Sequence, residues 1–249
     1  MNVLIINADD LGLTPSVSKG IFESIQNGAV TRTSAMMCSE SSLIVKQFTN
    51  ELNGKIGIHL QLTDGTPKTA PNLIPSLVNE LGLFPKKSNQ LSALTLSEIE
   101  LEWNAQMDAF FDLGIKPSHI DTHHNVHRFP KAFKAICSLA QRYNLPVRPL
   151  SSIMAQKLDS LGLLQNSICL EFWPREDVTT SSLVKYLVHF FKTNRNTNKP
   201  VELMCHPGYI DQELLEKSKY IEKRKLELDV FLDPELPKLL KANNITLYQ

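Results

Sequence analysis

The sequence predicts an α/β fold, a (β/α) barrel of seven to eight mostly parallel strands, and three observations carry that expectation. Short β-branched runs alternate with amphipathic helical patterns along the chain. No composition shift marks a linker, so residues 1–249 read as one barrel domain with an insertion at about 64–94. The 249 residues, 42% of them hydrophobic, suffice for one large core, and α/β barrels commonly reach this size.

The elements follow in order. Residues 3–7 (VLIIN) form an apolar run too short for a helix. Thr14-Pro15 supplies an N-cap and a first-turn proline, Val17, Ile21 and Ile25 share a helical face, and Gly28 closes it. A second strand fits 33–37, a helix 41–50, and a third strand 56–60 (IGIHL). Residues 64–94 are rich in Pro, Gly, Ser and Asn and lack periodicity, as long functional loops do. The next helix opens on a capping-box pattern, Thr95-x-x-Glu98 or Ser97-x-x-Glu100, carries Ile99, Trp103 and Met107 at four-residue steps, and ends at Gly114. Strands then fit 118–121, 146–150, 167–172, 200–205 and 244–248, with helices near 130–143, 180–192 and 213–241.

Composition excludes several classes of function. Lysine plus arginine and aspartate plus glutamate stand at 26 each, so there is no basic stripe for nucleic acid and no polybasic membrane face. The apolar run at the N-terminus lacks a charged lead, and no stretch has the length to span a bilayer, which points to a cytoplasmic protein. Cys38, Cys137, Cys169 and Cys205 show no Cys-x-x-Cys spacing and read as small buried residues in a reducing compartment. A homodimer is compatible with all of this.

The chemistry-bearing residues gather at the ends of the expected strands. Asp9 and Asp10 follow the first strand, and His59 lies near the end of the third. His119, Asp121, His123, His124 and His127 lie on or after the fourth, with Arg148, Glu171, Trp173 and His206 at the ends of later strands. In a parallel barrel these ends share one face, the one that holds active sites, whereas chance would place about half of them opposite. Adjacent carboxylates leaving a buried strand repel each other unless something positive compensates, and neighbours on a strand point in opposite directions. One can therefore hold a metal while the other serves a reacting water; the plain alternative is a capping Asp beside a solvated one.

A lone histidine in an apolar strand is ordinarily a satisfied core residue, but four of the seven histidines lie within residues 119–127. Asp10, one histidine from strand three and one from the strand-four loop would give a divalent cation three protein ligands and an open position. The remaining histidines and Asp121 would then orient the ligating imidazoles. His206, on a turn after a buried strand, suits proton transfer or simply bonds within the turn. Arg148 either pairs with Asp9 and holds it ionised or forms a structural ion pair. Trp173, Phe172 and Tyr209 could stack against a sugar ring or pack the rim, and His127 joins Trp173 and Tyr209 as a candidate sugar contact.

Four ordered segments, Asn7-Ala8-Asp9-Asp10-Leu11-Gly12, Gly57-Ile58-His59-Leu60, Ser118-His119-Ile120-Asp121-Thr122-His123-His124 and Met204-Cys205-His206-Pro207, resemble the signatures of the YdjC-like carbohydrate deacetylases. That family includes chito-oligosaccharide and hopanoid-biosynthesis deacetylases. The likeness spans residue 7 to about 211; residues 64–94 and the C-terminal part match only loosely. It implies an irregular (β/α) barrel related to the polysaccharide deacetylases, acting on N-acetylated sugars or oligosaccharides. It further implies one divalent metal ion, Mg²⁺ or Zn²⁺, at Asp10, His59 and His123, with Asp9 as base and His206 as acid. Members commonly carry a third histidine where this chain has Asn125. Two rival readings are a metal-dependent phosphoesterase or sugar-phosphate isomerase on the same barrel, and an inactive carbohydrate-binding protein. Against the first, the loops after strands seven and eight lack a glycine-rich phosphate cradle. Against the second, Asp9 and His206 accompany a full ligand set.

Overall fold

The computed structural model describes residues 2–91, 93–171, 177–194 and 198–249. Among these, seven strands form one sheet in which every pair is parallel, curved as a half-barrel with helices outside. They are β1 (Asn2–Leu11), β2 (Arg32–Ala35), β3 (Ile56–Leu60), β4 (Ile120–Thr122), β5 (Ile168–Leu170), β6 (Val201–Cys205) and β7 (Ile245–Leu247). The order is β4-β3-β2-β1-β6-β5, and β7 also pairs with β1. The carbonyls of Leu4 and Ile6 accept from Tyr248 and Thr31, so β7 and β2 share one edge of β1 while β6 takes the other. From Leu4 to Leu11 β1 is buried throughout, as expected of a strand covered on both faces.

The register of β1 against β2 runs through Asn7–Arg32 and Ala8–Thr33, then shifts before Leu11–Ala35. Asp9 and Asp10 occupy that irregular step, and Asp10 adopts φ 71°. A left-handed non-glycine residue costs free energy and must be held by its surroundings. The irregularity turns the two neighbouring carboxylates toward different partners.

Eight α-helices are described: α1 (Pro15–Gln26), α2 (Leu96–Phe111), α3 (Pro130–Tyr143), α4 (Ser152–Ser160), α5 (Thr180–Thr193), α6 (Gln212–Lys217), α7 (Glu222–Leu232) and α8 (Glu235–Ala242). Thr14 caps α1 by accepting from the Val17 N–H at 3.2 Å, as its sequence indicates. Gly20 of α1 lies so close to Gly208, after β6, that a Cβ would come within 2.8 Å of the Gly208 Cα. This glycine contact seats the loop that carries His206. On α2, Ile99, Trp103 and Met107 are buried against the sheet, but the Thr95 side chain makes no cap. Glu98 instead accepts from the Ser76 N–H at 2.7 Å, and buried Glu102 accepts from Lys68 and Thr69 at 3.0 and 2.8 Å. Two α2 carboxylates thus pin the irregular 64–94 segment, whose described residues form only short 3₁₀ turns.

Several elements differ from expectation for local reasons. The strand expected at 146–150 is a single bridge, Val147 to Ile120. Pro146 and Pro149 flank it, and without their N–H groups a ladder cannot extend. The helix expected at 41–50 is a 3₁₀ segment, Ser42–Phe48. The span 213–241 breaks into α6, α7 and α8, the last break falling at Asp233-Pro234. Helix α4 was not expected, although Ser151 caps it by accepting from the Met154 N–H at 3.2 Å.

Candidate active site

The strand ends converge as a parallel sheet requires, around a cavity of about 940 Å³. Asp9, Asp10, His59, His123, Glu171, His206 and Arg224 all line it.

One wall gathers residues that could hold a cation. His59 Nε2 lies 3.3 Å from Asp10 Oδ1, and His123 Nδ1 lies 3.1 Å from the same oxygen. Candidate ligand atoms of Asp10, His59 and His123 all fall within 4.8 Å of one another. Behind them, His59 Nδ1 donates to Asp121 Oδ1 at 2.7 Å, and Ser34 Oγ donates to Asp121 Oδ2 at 2.9 Å. The Asp121 contact orients the His59 ring and leaves Nε2 facing Asp10, where a cation would take the place of the Nε2 proton. His123 reaches the wall because His124 and Asn125 take successive left-handed conformations, φ 53° and 51°, which fold the chain back after β4.

Electrostatics agree with this use. Burial pulls the His59 pKa down, but Asp121 and the hydrogen bonds to Asp10 and Asp121 outweigh it and push it up to about 10. Burial would raise Asp10, but Arg224, His123 and His59 hold it well below the usual carboxylate range. Among the described residues in and behind the cavity wall, five buried carboxylates (Asp9, Asp10, Asp121, Glu202, Glu227) outnumber three buried guanidiniums (Arg32, Arg148, Arg224), and the proton that His59 holds covers only part of the difference. A divalent cation offsets that deficit, and a carboxylate with two imidazoles suits one while leaving positions open. Asp9, His59 and Asp121 also lie close enough to share an ion. There, however, Arg148 Nη2 already sits 2.6 Å from both Asp9 Oδ1 and Asp121 Oδ2. The Asp10 triangle is the better cation site.

Asp9 lies beside this triangle, within 4.8 Å of a His59 nitrogen. Arg148 grips it through both terminal nitrogens, Nη1 to Oδ2 at 2.7 Å and Nη2 to Oδ1 at 2.6 Å, and Asn7 Nδ2 adds a bond at 2.6 Å. Arg148 Nε donates to Glu202 at 2.7 Å, and the other Glu202 oxygen accepts from Arg32 at 2.9 Å. His206 enters from the turn after β6; its backbone N–H donates to Glu227 Oε2 at 2.5 Å, and its ring lies edge-on to Tyr220. Burial lowers the His206 pKa against the pull of Asp10 and Glu227. Arg224, from α7, donates to Asp10 Oδ2 at 2.6 Å.

Other residues singled out from sequence lie elsewhere. His119 is buried beneath the site in room that Gly57 provides, since a Cβ there would meet its ring at 2.3 Å. His124 lines the cavity and bonds Thr63 at 3.0 Å. The fully buried His127 ring lies between Thr122 Oγ1 and the Arg148 carbonyl, at 2.7 and 3.0 Å, and does not line the cavity. Tyr209 donates to Glu23 at 2.5 Å on the flank of α1, also away from the cavity lining. Trp173 and Phe172 lie outside the described residues. Asn125 donates to Glu171 at 3.1 Å. Sequence reasoning missed Arg32, Glu202, Arg224 and Glu227. A glutamate inside the apolar run Val201-Glu202-Leu203-Met204 was a signal; Arg224 and Glu227, among the alternating charges of α7, gave none.

A parallel half-barrel with a carboxylate–histidine triangle and an arginine-held aspartate at its strand ends defines the class: an α/β protein with a candidate metal-binding cluster beside a buried, arginine-paired carboxylate. The family described as YdjC-like protein matches residues 3–242, and the chain belongs to it. The chain is 37% identical over 235 residues to a carbohydrate deacetylase of Geobacillus stearothermophilus, covering 93% of this chain and 90% of that protein. A carbohydrate deacetylase of Clostridium beijerinckii is 32% identical over 248 residues, 98% of this chain and 97% of its own length. An Enterococcus faecalis crystal structure, described as a candidate cellobiose-phosphate cleavage protein, superposes with a TM-score of 0.90 at 31% identity, covering 100% and 97% of the two chains. A Streptococcus mutans CE4 esterase shares the fold alone, with a TM-score of 0.52 at 14% identity over 100% of this chain and 86% of that one.

Proposed function

We propose that residues 1–249 act as one metal-dependent carbohydrate deacetylase, hydrolysing the N-acetyl group of an amino sugar or its oligosaccharide to acetate and a free amine. The observation that carries this is the single cavity into which the Asp10–His59–His123 triangle, Arg148-held Asp9 and His206 all face. The carbohydrate deacetylases it resembles across nearly the whole chain support the sugar as substrate class.

Asp10, His59 and His123 would hold the ion, Mg²⁺ or Zn²⁺, with Asp121 orienting His59. When bound, such an ion supplies Lewis acidity, lowering the pKa of water and polarising a carbonyl oxygen. Asp9 accepts the proton of the attacking water; Arg148 and Asn7 hold its oxygens in place, and Oδ2, which accepts from Arg148 Nη1, keeps a further lone pair for that proton. His206 gives a proton to the departing amine as the C–N bond breaks. The burial that lowers its pKa makes its imidazolium the stronger donor. The proton taken by Asp9 and the one given by His206 balance over a turnover.

The test is acetate release from N-acetylated mono- and oligosaccharides with Mg²⁺ or Zn²⁺ and after EDTA, with inorganic phosphate followed in parallel. Chelator-sensitive acetate is the expected result. Phosphate from a phosphosugar without acetate would move the chain to the phosphoesterase reading, and no turnover at all would favour a sugar-binding protein.

A further inference from the structure

The proton-accepting role of Asp9 depends on how Arg148 is presented to it, and Arg148 does not present itself. Its guanidinium is buried and carries three carboxylates at once: Glu202 on Nε, Asp9 on both terminal nitrogens, and Asp121 on Nη2. A guanidinium can meet a carboxylate through its Nη1–Nη2 end or through its Nε–Nη edge, and both are two-point contacts. Burial works against the Arg148 charge, but Asp121, Asp9 and Glu202 outweigh it, and a charge held by all three carboxylates does not by itself choose between those faces. Glu202 does, by occupying Nε at 2.7 Å. Glu202 is fixed in turn because Arg32 Nη2 holds its second oxygen at 2.9 Å, while Arg32 Nε donates to Asn7 Oδ1 at 3.1 Å. Asn7 then donates to Asp9 at 2.6 Å, so the chain of contacts returns to the carboxylate from its other side.

We propose that Glu202, braced by Arg32, is the positioning residue of this site: it turns Arg148 end-on to Asp9 and so sets the direction of the Asp9 lone pairs. Glu202 touches neither the cation triangle nor the cavity, so its influence on turnover passes through the two arginines it holds, directly through Arg148 and more remotely through Arg32 and Asn7. The arrangement explains why a glutamate persists in the apolar strand β6, where an unpaired charge would be strongly unfavourable.

The inference rests on the deacetylase reading for its kinetic test and on geometry alone for its structural one. Glu202→Gln keeps the shape and removes the charge. On whichever N-acetylated sugar the wild type deacetylates, kcat should fall by about tenfold to a hundredfold, the scale of a small misplacement at a reacting group. KM should stay within about twofold, the pattern of an interaction felt only in the transition state, and metal content should not change. Arg148→Met should cost more, and the double variant should cost far less than the product of the two single losses, because the direct contact between Glu202 and the residues around Asp9 runs through that guanidinium. Wild-type kcat in Glu202→Gln, or losses that multiply in the double variant, would overturn the proposal.

A crystal structure of Glu202→Gln decides the matter without any assay. Arg148 turned away from end-on contact supports the proposal, and Arg148 unmoved contradicts it, even if the wild type releases no acetate and the deacetylase reading fails. Should Glu202→Gln not fold, Arg32→Gln removes the brace and leaves Glu202 in place. Its kcat should fall by about threefold or more at constant KM, and wild-type kcat there would equally overturn the proposal.

Discussion

The two aspartates that end β1 are adjacent in sequence and opposite in surroundings. Asp9 accepts from two guanidinium nitrogens, one of them shared with Asp121, and from an asparagine amide. Asp10 has one oxygen bound by Arg224 and turns the other toward two imidazole nitrogens. The register shift of β1 and the left-handed backbone at Asp10 create this divergence. The Asp9 oxygens are taken up by guanidinium and amide donors, whereas Asp10 Oδ1 faces two imidazoles that could share a cation with it. Two identical side chains thus acquire different chemistry from the direction in which the backbone turns them.

The largest effects should separate the two carboxylates. His59→Ala or His123→Ala should lose bound metal and acetate release together, whereas Asp9→Asn should lower turnover by about a thousandfold with metal content intact. Equal metal loss in all three variants would erase the distinction. Next in size, Asp121→Asn removes the acceptor that orients His59. It should weaken metal affinity by about tenfold to a hundredfold in a competition titration; unchanged affinity would mean that Asp121 serves only Arg148.

How much of this was legible depends on what each residue looks like in sequence. Asp9, Asp10, His59 and the 118–127 cluster were visible because uncommon residue types fall at the ends of apolar runs, and a parallel sheet gathers such ends. The strand at 146–150 was misread because its β-branched and apolar residues were weighed more than the prolines that deny it a ladder. The role of Arg224 was invisible: Lys223, Arg224, Lys225 and Glu227 resemble the solvated face of a helix, and only tertiary packing buries two of them. His127 and Tyr209 were assigned by type and proximity, and the fold turned one into the interior and the other onto α1.

Smaller effects sharpen the comparison away from the site. Burial lowers the His127 pKa to about 4, further than the Arg148 carbonyl raises it. Because the unfolded chain binds this proton near pH 6.5 and the native protein does not, stability is present above 6.5 and is lost as pH falls toward 4. The loss amounts to about 3 kcal/mol. Thermal unfolding of His127→Gln should show a shallower fall over that window, and an equal fall would place the acid sensitivity elsewhere. Smallest of all, Tyr209→Phe deletes one exposed-side hydrogen bond to Glu23 and should shift stability by about 1 kcal/mol or less. Its KM should match the wild type; a raised KM would bring Tyr209 back to the sugar.

The central claim is that Asp10, His59 and His123 share one cation. Anomalous diffraction from crystals grown with Zn²⁺ tests it directly. The account predicts one strong peak about 2.0–2.2 Å from the Asp10 carboxylate and from the facing nitrogens of His59 and His123. A peak among Asp9, His59 and Asp121, or none in the cavity at all, would contradict it.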